Sequence, residues 1–128
     1  MQMPEALKAA ASRALEGMDA QAVRQAAAAL SARYRAEEKS PSGARLLRSP
    51  EEIRAYAAFR LPATFGAVSR ALEMAIGCGL DGVRTLTDVG AGCGSALFAA
   101  SGAFPLARAA LIEREPGMIA LGRELARE

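Results

Sequence analysis

Residues 86–95 read LTDVGAGCGS, and the pattern around this stretch decides the fold that the sequence predicts. Residues 83–89 carry β-branched side chains in rough alternation, which is typical of a strand. Residues 95–101 resume a helical pattern, residues 107–113 resemble a second short strand, and Pro116 opens a last helix. Because strand, glycine-rich turn, helix and strand follow one another, the sequence predicts a parallel βαβ unit.

The chain upstream of this unit predicts four helical segments. The first two are expected over about residues 4–16 and 19–38, with Asp19 as the cap of the second. They are expected to form an antiparallel hairpin that packs through its alanines. The spacing thus predicts a helical start to the chain.

Ser49-Pro50-Glu51-Glu52 predicts the start of a third helix, with a capping serine and a proline in the first turn. Pro62 is expected to interrupt it, so that a fourth segment runs to about Gly77. The predicted fold class is therefore α/β. A helical N-terminal region over residues 1–80 precedes a truncated Rossmann-like βαβα unit over residues 81–128.

Composition excludes several classes of function. The chain has 128 residues, is 52% hydrophobic and 23% charged, and so has the composition of a folded domain. It contains no histidine, which excludes Ser-His-Asp and Cys-His catalysis and any zinc site that uses histidine. Cys78 and Cys93 form no CxxC pair and are expected to be buried small residues. Without a membrane-length apolar run, the protein is expected in the cytoplasm.

The glycines after the first strand have the pattern GxGxG. Gly90 would permit a tight turn, Gly92 would let a ligand lie against the backbone, and Gly94 would let the helix start close to the strand. The dinucleotide fingerprint places its third glycine one position later, where this chain has Ser95. The pattern therefore disfavours a nicotinamide cofactor.

Two carboxylates accompany the glycines. Glu113 ends the second predicted strand and can accept hydrogen bonds from the hydroxyls of an adenosine ribose. Asp88 can accept from loop N–H groups or from a ligand ammonium. Carboxylates suit a cationic cofactor with free ribose hydroxyls, such as S-adenosylmethionine, and would repel a pyrophosphate. The predicted cofactor contacts are Asp88, Gly90, Ala91, Gly92 and Glu113, and no residue is predicted as catalytic. The alternative is an ordinary turn with Glu113 in solvent.

These residues resemble a known family. Residues 88–94, DVGAGCG, resemble motif I of class I S-adenosylmethionine-dependent methyltransferases, and residues 111–113, LIE, resemble motif II. Residues 55–68, AYAAFRLPATFGAV, resemble the methyltransferase-like family associated with the mitochondrial and bacterial small ribosomal subunit. The resemblance covers about residues 45–125.

The resemblance implies a role in small-subunit assembly or translation, with ribosomal RNA as a possible partner. It also implies a fold of seven strands, so the sequence is expected to be an N-terminal half that is inactive on its own. Two strands need cover, either from the N-terminal helices or from a second copy in a homodimer. Family members carry later cysteines for an iron–sulfur cluster, and neither cysteine of this chain matches them.

Two alternatives remain open. The first is a non-catalytic RNA- or ribosome-binding module that uses the basic residues between positions 24 and 60, which outnumber the acidic ones. These are Arg24, Arg33, Arg35, Lys39, Arg45, Arg48, Arg54 and Arg60. The same residues also fit a solvated helix face. The second alternative is a helical dimerisation module whose glycine loop is vestigial.

Overall fold

A computed structural model describes residues 1–37 and 49–127 of the protein. The described residues form six helices and two strands, and they confirm the predicted α/β class and element order. The elements are α1 (Glu5–Arg13), α2 (Ala20–Glu37), α3 (Pro50–Phe59), α4 (Leu61–Gly77), β1 (Thr85–Val89), α5 (Ser95–Ala103), β2 (Arg108–Ile112) and α6 (Pro116–Leu125).

The local signals for helix starts are confirmed. The Ser49 hydroxyl oxygen accepts a hydrogen bond from the Glu52 N–H at 3.2 Å, which caps α3. The Asp19 carboxylate accepts one from the Ala22 N–H at 3.1 Å at the start of α2. Pro62 lies in the first turn of α4, where its missing N–H leaves no hydrogen bond unmade. The helix is interrupted between α3 and α4, as predicted.

The predicted hairpin of α1 and α2 is wrong. Within the described residues, α2 packs along α3, and an ion pair of 2.5 Å between Arg33 and Glu52 joins them. Helix α1 packs on α6 and α3 instead. Its buried face includes Leu7 and alanines, and small side chains bury more area against the leucines of α6 than against other alanines.

The two strands pair in parallel, with Thr85 opposite Arg108 and Val89 opposite Ile112. Helix α5 packs on β1, and the N-terminal helices reach the unit through its helices, α4 against α5 and α3 against α6. They do not cover the outer face of the sheet. All the strand side chains that point to this outer face are exposed. These side chains belong to Thr85, Thr87, Val89, Arg108, Ala110 and Ile112.

One hydrophobic core runs through both predicted domains. Leu30, Leu61 and Phe65 from the helical region share it with Met118 and Leu121 of α6. A division of the chain near residue 80 stays a prediction, since the buried side chains on both sides of that position belong to one cluster. No helix among the described residues has the length and apolarity to cross a bilayer.

The prediction that both cysteines are buried is half wrong. Cys93 is buried in the core, whereas Cys78 is exposed after the end of α4. The pattern of α4 explains the difference, because its apolar stripe ends before Cys78, where Ile76 is already 42% exposed. Both cysteines are free thiols.

Candidate cofactor site

The turn between β1 and α5 depends on its glycines for its backbone shape. Gly90, Gly92 and Gly94 have φ angles of +75°, +57° and +94°. A residue with a side chain costs about 1–2 kcal/mol in such left-handed conformations. All three glycines are therefore required by the path of the chain, whatever ligand the turn binds.

The N–H groups of the turn are largely committed to the protein. The Gly90 and Ala91 N–H groups both donate to the Ile112 carbonyl, at 2.8 and 3.1 Å. The Gly94 N–H donates to the Ala91 carbonyl at 2.9 Å. A phosphate-binding loop needs such N–H groups free to face the anion. The geometry therefore agrees with the sequence in disfavouring a pyrophosphate ligand.

Glu113 reaches the glycine turn from the end of β2. Its Oε2 accepts a hydrogen bond from the Gly92 N–H at 2.7 Å. Its Oε1 accepts from the N–H groups of Arg114 and Glu115 at 2.8 and 3.0 Å. A carboxylate has about four acceptor positions, so one remains for a ligand hydroxyl without breaking these bonds. Sequence reasoning identified Glu113 but missed that it also ties the turn to β2.

Asp88 lies beside Glu113 at the same edge of the sheet. It pairs with Leu111 in the strand register, so its side chain shares the helix-covered face with Leu111 and Glu113. Desolvation, followed by the charge of Glu113, raises the pKa of the Asp88 carboxyl. Within residues 1–37 and 49–127, no hydrogen-bond donor reaches this carboxylate. Two neighbouring carboxylates create a negative potential that favours a cationic ligand.

The three glycines differ in what surrounds them. A Cβ on Gly92 would lie 3.2 Å from Met118 Cε and 3.6 Å from the Tyr56 hydroxyl oxygen. The Cβ side of Gly92 is therefore packed against Met118 and Tyr56, and its contact with a ligand stays a prediction. A Cβ on Gly90 would meet nothing within 4 Å. Gly90 is thus the position where a ligand can approach the backbone.

A cavity of about 370 Å³ opens next to Glu113, between the turn, α5, β2 and α6. Its walls are mainly apolar, with Glu113 and Arg123 as charged groups. Sequence reasoning missed it, because its side chains come from three elements and share no pattern. The apolar lining includes Leu97, Phe98, Leu111 and Ile119.

Cys93 lies within the turn but has no reactive thiol. It is 1% exposed, and burial raises the pKa of its thiol to about 11. A thiol with this pKa is a weak source of thiolate at neutral pH. Among the described residues, no group of three or more cysteines or carboxylates could hold a metal ion.

The predicted basic region is only partly available in the structure. Lys39, Arg45 and Arg48 lie outside the described residues. Arg33 is paired with Glu52, and Arg54 donates to the Ala14 carbonyl at 3.1 Å. The Arg33–Glu52 pair offsets one positive charge of α2, and the Arg54 hydrogen bond holds that guanidinium against the end of α1.

A comparison with known protein families matches the part of the chain that contains the candidate site. A family model described as mitochondrial small ribosomal subunit Rsm22 matches residues 50–128. The match begins at the first residue of α3 and includes the glycine turn, Glu113 and the cavity. No curated protein gives a significant match to the chain. Because the family model covers more than half of the chain, the protein belongs to the Rsm22 family, as the resemblance of its motifs predicted.

Proposed function

We propose that the turn at Gly90–Gly94, with Asp88 and Glu113, binds S-adenosylmethionine. The observation that carries this proposal is the position of Glu113, whose carboxylate meets the glycine turn at 2.7 Å and retains an acceptor position for a ribose hydroxyl. Asp88, Gly90 and Ala91 are the other proposed contacts. The pKa of Asp88 is raised by desolvation and by Glu113, and a cationic ligand beside this carboxylate would stabilise its charged form.

The cavity beside Glu113 supports a nucleoside ligand. Its volume of about 370 Å³ falls within the range of small-molecule sites, and its apolar walls suit an aromatic ring. Glu113 lies at its rim, so a ribose bound to this carboxylate would direct the attached base toward Leu97 and Ile119. The ligand's cationic portion would then lie toward Asp88.

We propose binding without methyl transfer for the described residues alone. Methyl transfer requires an acceptor held in line with the methyl group. The open end of the site gives no such enclosure, since Val89 is 76% exposed and Gly90 faces open space. No described side chain is proposed as catalytic.

The family description supports a partner as well. Rsm22 is described as a protein of the mitochondrial small ribosomal subunit, and we propose that this chain acts with a small ribosomal subunit. Co-sedimentation with purified small ribosomal subunits tests this association. Protein that stays in the supernatant at low salt would contradict it. Location in the cytoplasm and association into homodimers stay predictions.

Isothermal titration calorimetry with S-adenosylmethionine tests the cofactor proposal. Glu113→Gln removes the charge and one acceptor position, and we expect its Kd to rise about tenfold, because a hydrogen bond to a charged group contributes about 1.5–3 kcal/mol. Leu97→Trp fills the cavity, and we expect it to abolish measurable binding.

Met74→Trp is the matched control for Leu97→Trp. Met74 is 61% exposed on α4 and does not line the cavity, so this variant should bind as the wild type does. The proposal fails if wild-type protein shows no heat of binding at millimolar ligand. The cavity assignment fails if Leu97→Trp binds with unchanged affinity.

A further inference from the structure

Helix α3, from the N-terminal region, contacts the candidate site at two points on one face. The hydroxyl oxygen of Tyr56 lies 3.6 Å from the position of a Cβ on Gly92. Ile53, three residues earlier on the same face, would lie 2.2 Å from a Cβ on Gly117 in α6. The contact of Ile53 is possible only because residue 117 is glycine, whereas the Tyr56 hydroxyl lies at an ordinary van der Waals distance from the Cβ position of Gly92. Helix α3 therefore lies against the turn and against the start of α6.

Tyr56 is held firmly in this position. It is half-buried and packs against the common core, and its neighbours Ala55 and Ala57 are 1% and 0% exposed. The capped start at Ser49 fixes the beginning of the same helix. A side chain anchored in this way restricts the groups it touches, since a well-packed interior gives little room for movement.

Gly92 is restrained from two directions. Its N–H donates to Glu113 at 2.7 Å, and Tyr56 and Met118 occupy the space beside its Cα. A glycine at φ +57° has many other conformations available, so the turn needs these contacts to stay in one of them. If Gly92 moved, its N–H would leave Glu113, and the carboxylate would lose its orientation toward the ligand.

We propose that Tyr56 is a positioning residue of the site, through which α3 controls the shape of the glycine turn. The hydroxyl end of Tyr56 packs beside Gly92, and Gly92 in turn orients the Glu113 carboxylate. Any partner that shifted α3 would thereby change the affinity of the site for its ligand. For the ligand, this inference rests on the proposed function; for the turn, it stands on the contacts alone.

The test combines hydrogen exchange at the Gly92 amide with calorimetry of S-adenosylmethionine binding. We expect Tyr56→Ala to speed exchange at Gly92 by about tenfold and to weaken binding by a similar factor, because opening of the turn becomes easier. Tyr56→Phe removes the hydroxyl beside Gly92 but keeps the ring, so we expect a smaller change than in Tyr56→Ala, about threefold in both measurements. If Tyr56→Ala does not fold, Tyr56→Leu is used in its place, because leucine retains more of the apolar volume of the tyrosine side chain.

Leu30→Ala is the control for a loss of stability alone. Leu30 is 2% exposed in α2, and its truncation should lower Tm without changing Gly92 exchange under native conditions or ligand affinity. Unchanged exchange at Gly92 in Tyr56→Ala would overturn the inference. Faster exchange in a protein whose wild type binds no ligand would instead uphold the positioning role and reject the cofactor proposal.

Discussion

Gly122 and Gly66 both lie inside helices, but their surroundings give them opposite roles. A Cβ on Gly122 would lie 2.8 Å from the carbonyl oxygen of Cys93, a backbone atom of the turn. A Cβ on Gly66 would meet nothing within 4 Å, and the residue is exposed. Gly122 thus permits α6 to lie directly against the glycine turn, whereas Gly66 contributes only flexibility.

We therefore expect Gly122→Ala to destabilise the protein by about 1–3 kcal/mol, the usual cost of an overpacked contact. Gly66→Ala should stabilise it by about 0.5–1 kcal/mol, because alanine has the higher helix propensity. Urea unfolding followed by circular dichroism measures both. Equal effects of the two substitutions would show that α6 does not approach the turn so closely.

Asp88 links stability to pH at the residue scale. Its pKa is raised in the folded protein by desolvation first and by Glu113 second, so the folded state holds the proton more tightly than the unfolded chain. Stability from this group is complete at pH values below the unfolded-state pKa. It is lost as the pH rises through the folded-state pKa.

Asp88→Asn should therefore leave stability unchanged at low pH and increase it relative to the wild type at neutral pH. The same substitution should weaken S-adenosylmethionine binding at neutral pH, because it removes a negative charge from the site. Thermal unfolding from pH 3 to pH 7, paired with calorimetry, checks both directions. A variant less stable than the wild type at neutral pH would mean that Asp88 is a structural partner and not a strained site residue.

At the scale of elements, sequence reasoning succeeded where the signal is local. The starts of α2 and α3 were predictable, because Asp19 and Ser49 cap N–H groups only three residues away. The glycine turn was predictable from its pattern after β1. These features depend on neighbours along the chain, and their physical causes can be read from a short window.

Contacts between elements were not predictable in the same way. The bond from the Gly92 N–H to Glu113 joins residues 21 positions apart, and the approach of Tyr56 to Gly92 joins residues still more distant. Helix α2 pairs with the helix against which its faces bury most area. The sequence does not indicate that partner, because the faces of alanine-rich helices resemble one another. Gly117 and Gly122 are sequence signals for such proximity, since a glycine inside a helix often marks a close contact with another element.

The sheet shows the same limit at its outer face. Parallel sheets are normally covered on both faces, yet Val89 and Ile112 are 76% and 56% exposed in this structure. Sequence reasoning recognised that two strands need cover, but it could not assign the N-terminal helices to α5 and α6. The N-terminal helices contact the unit through α5 and α6 and leave the outer face of the sheet exposed.

For the whole molecule, the shared core makes the helical region part of the site. The family match begins at Pro50, so it contains α3 and α4 together with the βαβα unit. This agrees with the contacts of α3 to the turn and to α6. The core that both regions share is therefore the property of the whole molecule on which the shape of the turn depends.

We claim that an adenosyl ligand binds at the glycine turn with Glu113 as its acceptor. A titration of ¹⁵N-labelled protein with S-adenosylmethionine, followed by amide chemical shifts, tests both the binding and its place. We predict saturable shifts at Gly90, Gly92 and Arg114, strongly reduced in Glu113→Gln. Saturable shifts confined to α1 and α2, or no shifts at millimolar ligand, would contradict the claim.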